Sequence, residues 1–184
     1  MCIRDRLEEL VVVAEALEDM VDKTEVRDII GLCGSFLTLR EDTVYFVHQS
    51  AKDFLITKAF DEVFPDGTEA VHRVIFSRSI VVLSRTLHRD MYSLDELGFP
   101  INNVKTPDPD PLAASRYSCI YWVDHLYDSK LKSWAKSDGD VQVAGVVDEF
   151  IGKKYLYWLE GLSLCKSTAK GIVSVSKLCS LAQV

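Results

Sequence analysis

Apolar residues recur at three- and four-residue spacings over most of this chain, interrupted once by two β-rich runs. Residues 7–20 (LEELVVVAEALEDM) suit an amphipathic helix. The preceding residues, 1–6, fit no pattern and read as a foreign or mis-joined stub. Thr24 can cap a second helix, TEVRDIIGLC, with Val26, Ile29, Ile30 and Cys33 on one face and Gly34 ending it. SFLTLR and VYFVH follow, separated by Glu41-Asp42-Thr43, and predict a hairpin. Ser50 then opens SAKDFLI, and Ser50 and Asp53 are expected to form the helix cap, the acid facing exposed amide groups. Helix, helix, hairpin, helix is the order of a winged helix, placed at about 7–60.

Beyond Phe64-Pro65-Asp66-Gly67, Thr68 can cap a long helix to about Leu87. Residues 98–111 carry four prolines and form a loop. Asp110-Pro111 predicts a helix start, a capping side chain followed by proline in the first turn, opening an aromatic-rich helix. Further helices are expected near 140–151, 153–165 and 168–182. The fold class is therefore mainly α: a winged helix with one β-hairpin, then an α-helical bundle domain at 68–184. Tyr117, Tyr121, Trp122 and Tyr127, with Tyr155, Tyr157 and Trp158, are expected to pack helices together. Tyr117, Tyr121, Trp122 and Trp158 are the candidates for an exposed interface patch of several hundred Å², a size that marks contact surfaces.

Composition narrows the functional classes. With 48% apolar and 27% charged residues in 184, the chain can build a core. Its longest apolar runs are about five residues, against the roughly 20 that span a bilayer. No basic-then-apolar leader is visible, so the expectation is a cytoplasmic chain without a membrane partner. The five cysteines are odd in number and form no C-x-x-C pair, which predicts reduced, mostly buried thiols. Residues 1–64 hold seven Lys/Arg against fourteen Asp/Glu, while the rest holds fourteen of each. A DNA-binding winged helix needs cations to neutralise phosphates, so this acidic winged helix is expected to bind no nucleic acid.

Little here suits chemistry on its own. A phosphate loop needs G-x-x-x-x-G-K-[ST], and Gly152-Lys153 is followed by Lys154 with no glycine at the required earlier position. Val146-Val147-Asp148-Glu149 imitates an apolar strand ending in magnesium-binding acids, but Val143, Val146, Val147 and Phe150 have helical spacing. His72, His88 and His125 show no metal-ligand spacing. Cys119 and His125, six apart on one helix, face away from each other and cannot act as nucleophile and base. Asp124 and His125 suit a hydrogen-bond set beside the aromatic cluster. The chain is expected to be no enzyme, to hold no metal and to carry no cofactor.

GLCGSFLTL and VYFVHQSAKDFL, between Thr24 and Ile56, resemble the winged-helix segment of fungal NACHT-type, NLR-like signalling NTPases of the STAND class. That group contains heterokaryon-incompatibility proteins. DPLAASRYSCIYWVDHL and KKYLYWLEGLSLCKS resemble the helical region that follows it there. The resemblance implies a nucleotide-binding NACHT domain upstream, WD or ankyrin repeats downstream, and a switch closed with ADP that assembles into oligomers with ATP and Mg. It implies that His48 reaches the β-phosphate of ADP in the full-length parent, a contact this chain cannot complete alone. Read from the residues alone, the favoured role of His48 is that of a structural histidine bonded to nearby backbone or to Asp53. The implied function is non-catalytic control of a fungal NTPase in non-self recognition or programmed cell death. The alternative is a stand-alone truncated module that binds its full-length relatives.

Overall fold

The computed structural model describes residues 23–41, 43–95, 98–129 and 138–182. The helix expected at 7–20 and the stub at 1–6 lie outside them. The described chain is mainly helical, with one two-stranded antiparallel sheet.

Helix α1 (Lys23–Leu32) buries Val26 and Ile30, four residues apart and therefore on one stripe. They meet Val44, Leu37 and Leu39 of the hairpin in a small core. Ile29 was expected on this face but is 56% exposed, because a two-stranded ribbon covers only the narrow stripe through Val26 and Ile30. The helix ends where Gly34 N–H bonds Gly31 O at 3.1 Å, and a Cβ on Gly34 would lie 3.0 Å from that carbonyl. Strand β1 (Leu37–Arg40) pairs with β2 (Thr43–Phe46), with Arg40 opposite Thr43. Thr43 thus belongs to the ladder, as suits a β-branched residue, and the connection is shorter than the three residues expected. Glu41, at φ 47°, makes the reversal.

Helix α2 (Gln49–Thr57) docks on the hairpin through Phe54, which stacks on Phe36 with ring centroids 6.0 Å apart. A short turn of helix, α3 (Phe60–Val63), leads to α4 (Gly67–Thr86). The described residues among 87–115 are irregular apart from a 3-10 turn at Ile101–Asn103, as the prolines predict. Helices α5 (Arg116–Asp128), α6 (Asp138–Leu164) and α7 (Thr168–Ala182) complete the chain.

Two boundaries differ from expectation. Helix α5 begins at Arg116, beyond Asp110-Pro111, because Asp110 caps a turn instead: its Oδ1 accepts from Leu112 N–H at 2.9 Å, and its carbonyl from Ala113 N–H at 3.1 Å. The two helices expected at 140–151 and 153–165 are one, running through Gly152. Val147, Phe150, Trp158 and Leu162 form one buried stripe on it. A mid-helix glycine costs only about 1 kcal/mol against alanine, less than the roughly 1.5–3 kcal/mol from burying each large apolar side chain of that stripe.

Trp122 of α5 is the centre of the larger core. It makes edge contacts with Trp158 and Phe150 of α6, both at 5.3 Å, and meets Phe76 of α4 at 6.2 Å. The Trp158 indole N–H donates to Cys119 O at 2.8 Å, satisfying a polar group with no solvent access. Glycines set the closest crossings. A Cβ on Gly161 would lie 3.0 Å from Cys119 Sγ and 3.3 Å from Leu87 Cδ2. One on Gly171 of α7 would lie 2.7 Å from Leu162 Cδ1.

Candidate functional site

His48 follows β2 and occupies the N-cap position of α2, in extended backbone (φ −151°, ψ 153°). Its Nδ1 accepts from Ser50 N–H at 3.2 Å and lies 2.9 Å from the Ser50 hydroxyl. Ser50 was expected to be the cap; it is instead the second helical residue and supplies the donors that the histidine ring accepts. Asp53 lies beyond the first turn, and its carboxylate accepts from the Gln49 amide at 2.9 Å. With Nδ1 accepting, the neutral ring carries its proton on Nε2. His48, Gln49 and Ser50 are exposed, as is the neighbouring Val47. The arrangement therefore offers one directed N–H donor at the end of the hairpin.

The expected interface aromatics separate into two groups. Trp122 and Trp158 have no accessible surface and belong to the core, which corrects their assignment to an interface. Tyr121 is 40% exposed and Tyr117 is half-buried. Helix α5 has apolar residues on all sides, so spacing alone could not say which would be covered.

Three polar networks tie α5 to its neighbours. His125 Nδ1 lies 2.8 Å from Nδ1 of His72 on α4, and its Nε2 lies 2.7 Å from the Tyr117 hydroxyl. Burial, and then the neighbouring His72, lower the His125 pKa to about 4, against the weaker opposing pull of Asp124 and Asp128. Next along α5, Asp124 binds Lys170 and Lys177 of α7, the latter at 2.6 Å. Each lysine also sits over a tyrosine of α5, Lys170 on Tyr121 and Lys177 on Tyr127. Burial alone would raise the Asp124 carboxyl, but the two lysines hold it below its ordinary value. Lastly, Asp110 Oδ2 accepts from Arg116 at 2.7 and 3.2 Å, while Oδ1 accepts from the Tyr92 hydroxyl at 2.8 Å. Burial, reinforced by that bond, pushes Tyr92 up to about 12.

A cavity of about 650 Å³ lies between residues 89–95 and 98–104 and the end of α6, with Leu94, Phe99, Ile101, Val104 and Leu164 as its apolar lining and Arg89 among its polar groups. Its wall is held in an unusual backbone form: Asp90, Ser93 and Asp95 have φ of 55°, 51° and 57°. Two carboxylates fix it. Glu160 accepts from Asp90 and Met91 N–H at 3.2 and 2.9 Å, and Asp90 accepts from Leu94 and Asp95 N–H at 2.7 and 3.3 Å. Sequence reasoning missed this feature, because left-handed backbone is usually flagged by glycine and no glycine occupies these positions.

Among the described residues, no three His, Cys, Asp or Glu side chains are grouped to hold a metal. No described helix is long and apolar enough to cross a membrane.

Over 188 aligned positions, covering 95% of this chain, the sequence is 48% identical to vegetative incompatibility protein HET-E-1 of Podospora anserina. The chain spans 14% of that protein's length. No protein-family model matches the chain, and no solved structure matches it.

Proposed function

We propose that this chain is a non-catalytic regulatory and assembly segment of a larger fungal NLR-like NTPase acting in non-self recognition and programmed cell death. The observation that carries the reading is the 48% identity, over almost the whole chain, to a small part of a much longer protein named for vegetative incompatibility. In this reading the segment works in the cytoplasm as the winged helix and following helical domain. A NACHT module upstream holds ADP or ATP with Mg, and WD or ankyrin repeats lie downstream.

The residue of this chain that reaches the nucleotide is His48. Its Nδ1 is engaged by Ser50, which leaves the Nε2–H to donate to a phosphoryl oxygen of ADP. A neutral donor contributes about 1 kcal/mol and a charged one roughly 1.5–3 kcal/mol, enough to bias a two-state switch about tenfold. The same ring caps α2, so the contact and the helix start share one side chain. Val47, exposed beside His48, and the exposed Phe54 and Ile56 of α2 suit burial against the nucleotide-binding module.

The test is His48→Ala in the full-length parent. Weaker ADP retention and spontaneous signalling are expected. Unchanged ADP occupancy together with a silent resting state would overturn the assignment.

A further inference from the structure

Cys119 and Cys165 are brought together where α6 passes close to α5. Gly161 lies so close to α5 that a Cβ there would be 3.0 Å from Cys119 Sγ. Cys165 follows one turn later, just past the end of α6, its N–H bonded to Gly161 O at 2.9 Å, and its side chain is hydrogen-bonded to that of Cys119. The two thiols differ in setting. Cys119 is fully buried, whereas Cys165 is half-buried at the α6–α7 junction. The Arg116 guanidinium lies close enough to act electrostatically on both sulfurs. A partly accessible thiol with a second thiol in reach behind it, in the field of an arginine that Asp110 also holds, is the environment of a redox-active pair.

We propose that Cys165 and Cys119 form a reversible dithiol–disulfide couple, with Cys165 as the sulfur oxidised first and a hydroperoxide as the oxidant. The Cys165 thiolate attacks one peroxide oxygen and breaks the O–O bond, giving a sulfenic acid and, after protonation, one water. The Cys119 sulfur then attacks the Cys165 sulfur. The S–O bond breaks, the departing hydroxide takes up the Cys119 proton as a second water, and an S–S bond forms. Two thiols lose two electrons and hydrogen peroxide gains them. Its hydrogen bond to Cys165, followed by burial, holds the Cys119 thiol well above its ordinary value, which keeps it protonated until its partner is oxidised. The bond would fasten α5 to the α6–α7 junction, closing the 45 residues between the two cysteines into a loop. A clamp of this kind would give the helical bundle a pair of mechanical states without any nucleotide.

The experiment treats the folded 184-residue chain with a few equivalents of hydrogen peroxide, followed by peptide mapping by mass spectrometry. The expected product is a Cys119–Cys165 linked peptide lighter by two hydrogens and restored by dithiothreitol. Cys165→Ser should leave Cys119 an unreacted thiol, and Cys119→Ser should leave Cys165 as a sulfenic acid that dimedone traps. Cys119→Ala replaces the serine variant if a hydroxyl at this dry position unfolds the chain. Oxidation confined to Cys33 and Cys179, or equal oxidation of Cys119 in the presence and absence of the Cys165 thiol, would overturn the proposal.

Discussion

Gly152 and Gly161 stand on the same helix, yet the same substitution should stabilise at the first and not at the second. At Gly152 a Cβ meets nothing within 4 Å, so alanine brings only its better helix propensity. The expected gain is about 1 kcal/mol. At Gly161 the same propensity gain is opposed by contacts at 3.0 Å to Cys119 Sγ, 3.3 Å to Leu87 Cδ2 and 3.6 Å to Met91 Cε. The first two are tight and belong to α5 and the end of α4, so no single rotamer change relieves both, while Met91 at ordinary contact distance closes the space behind them. Overpacking a filled core costs roughly 1–3 kcal/mol. Gly161→Ala should therefore be neutral to destabilising by about 2 kcal/mol, and the difference between the two variants should be about 1–3 kcal/mol, the steric term itself. Urea unfolding of both variants, compared at constant m-value, measures that difference. If Gly161→Ala is as stabilising as Gly152→Ala, the helices do not cross as closely as described and the argument fails.

Two further outcomes follow from the α5 networks. His125 binds a proton at about 4 in the fold, against 6.5 ordinarily, so the unfolded chain takes up the proton first and stability should fall as pH drops from 6.5 to 4. Asp110 and Asp124, both held low in the fold, add their own losses below that interval, through the carboxylate range. Denaturant midpoints across this range should show the decline, and His125→Gln should flatten it; a level wild-type profile would contradict the buried neutral imidazole. Asp124→Asn leaves Lys170 and Lys177 facing each other without their shared anion, and should cost about 1 kcal/mol at these partly exposed positions. Thermal unfolding at low salt and at about 1 M salt checks it, since an electrostatic deficit shrinks with screening and a packing deficit does not.

The order of elements was legible because it follows from local chemistry. Apolar spacing marked α1, α4 and α7, and the prolines marked the loop before α5. What escaped was tertiary. Ser50 looked like the cap because serine favours that position, yet the ring of His48, two residues earlier, accepts its donors instead. Asp110 was recognised as a capping side chain, but its second oxygen holds Arg116 and delays the helix to that residue. The helices expected near 140–151 and 153–165 left Gly152 between them, whereas the buried stripe through Trp158 acts over the whole helix. Trp122 and Trp158 stood out plainly in the sequence, but an all-round apolar helix does not declare which side is covered.

Helix α6 runs 27 residues without interruption, which at 1.5 Å per residue makes a rod about 40 Å long. Its core contacts run from Val143 to Leu164, about 30 Å of that length. A tilt of about 5° about Gly161 would carry Phe150, about 16 Å along the axis, through roughly 1.4 Å, enough to open its edge contact with Trp122. The rod is thus fastened along most of its length, and α6 shifts as one body or not at all.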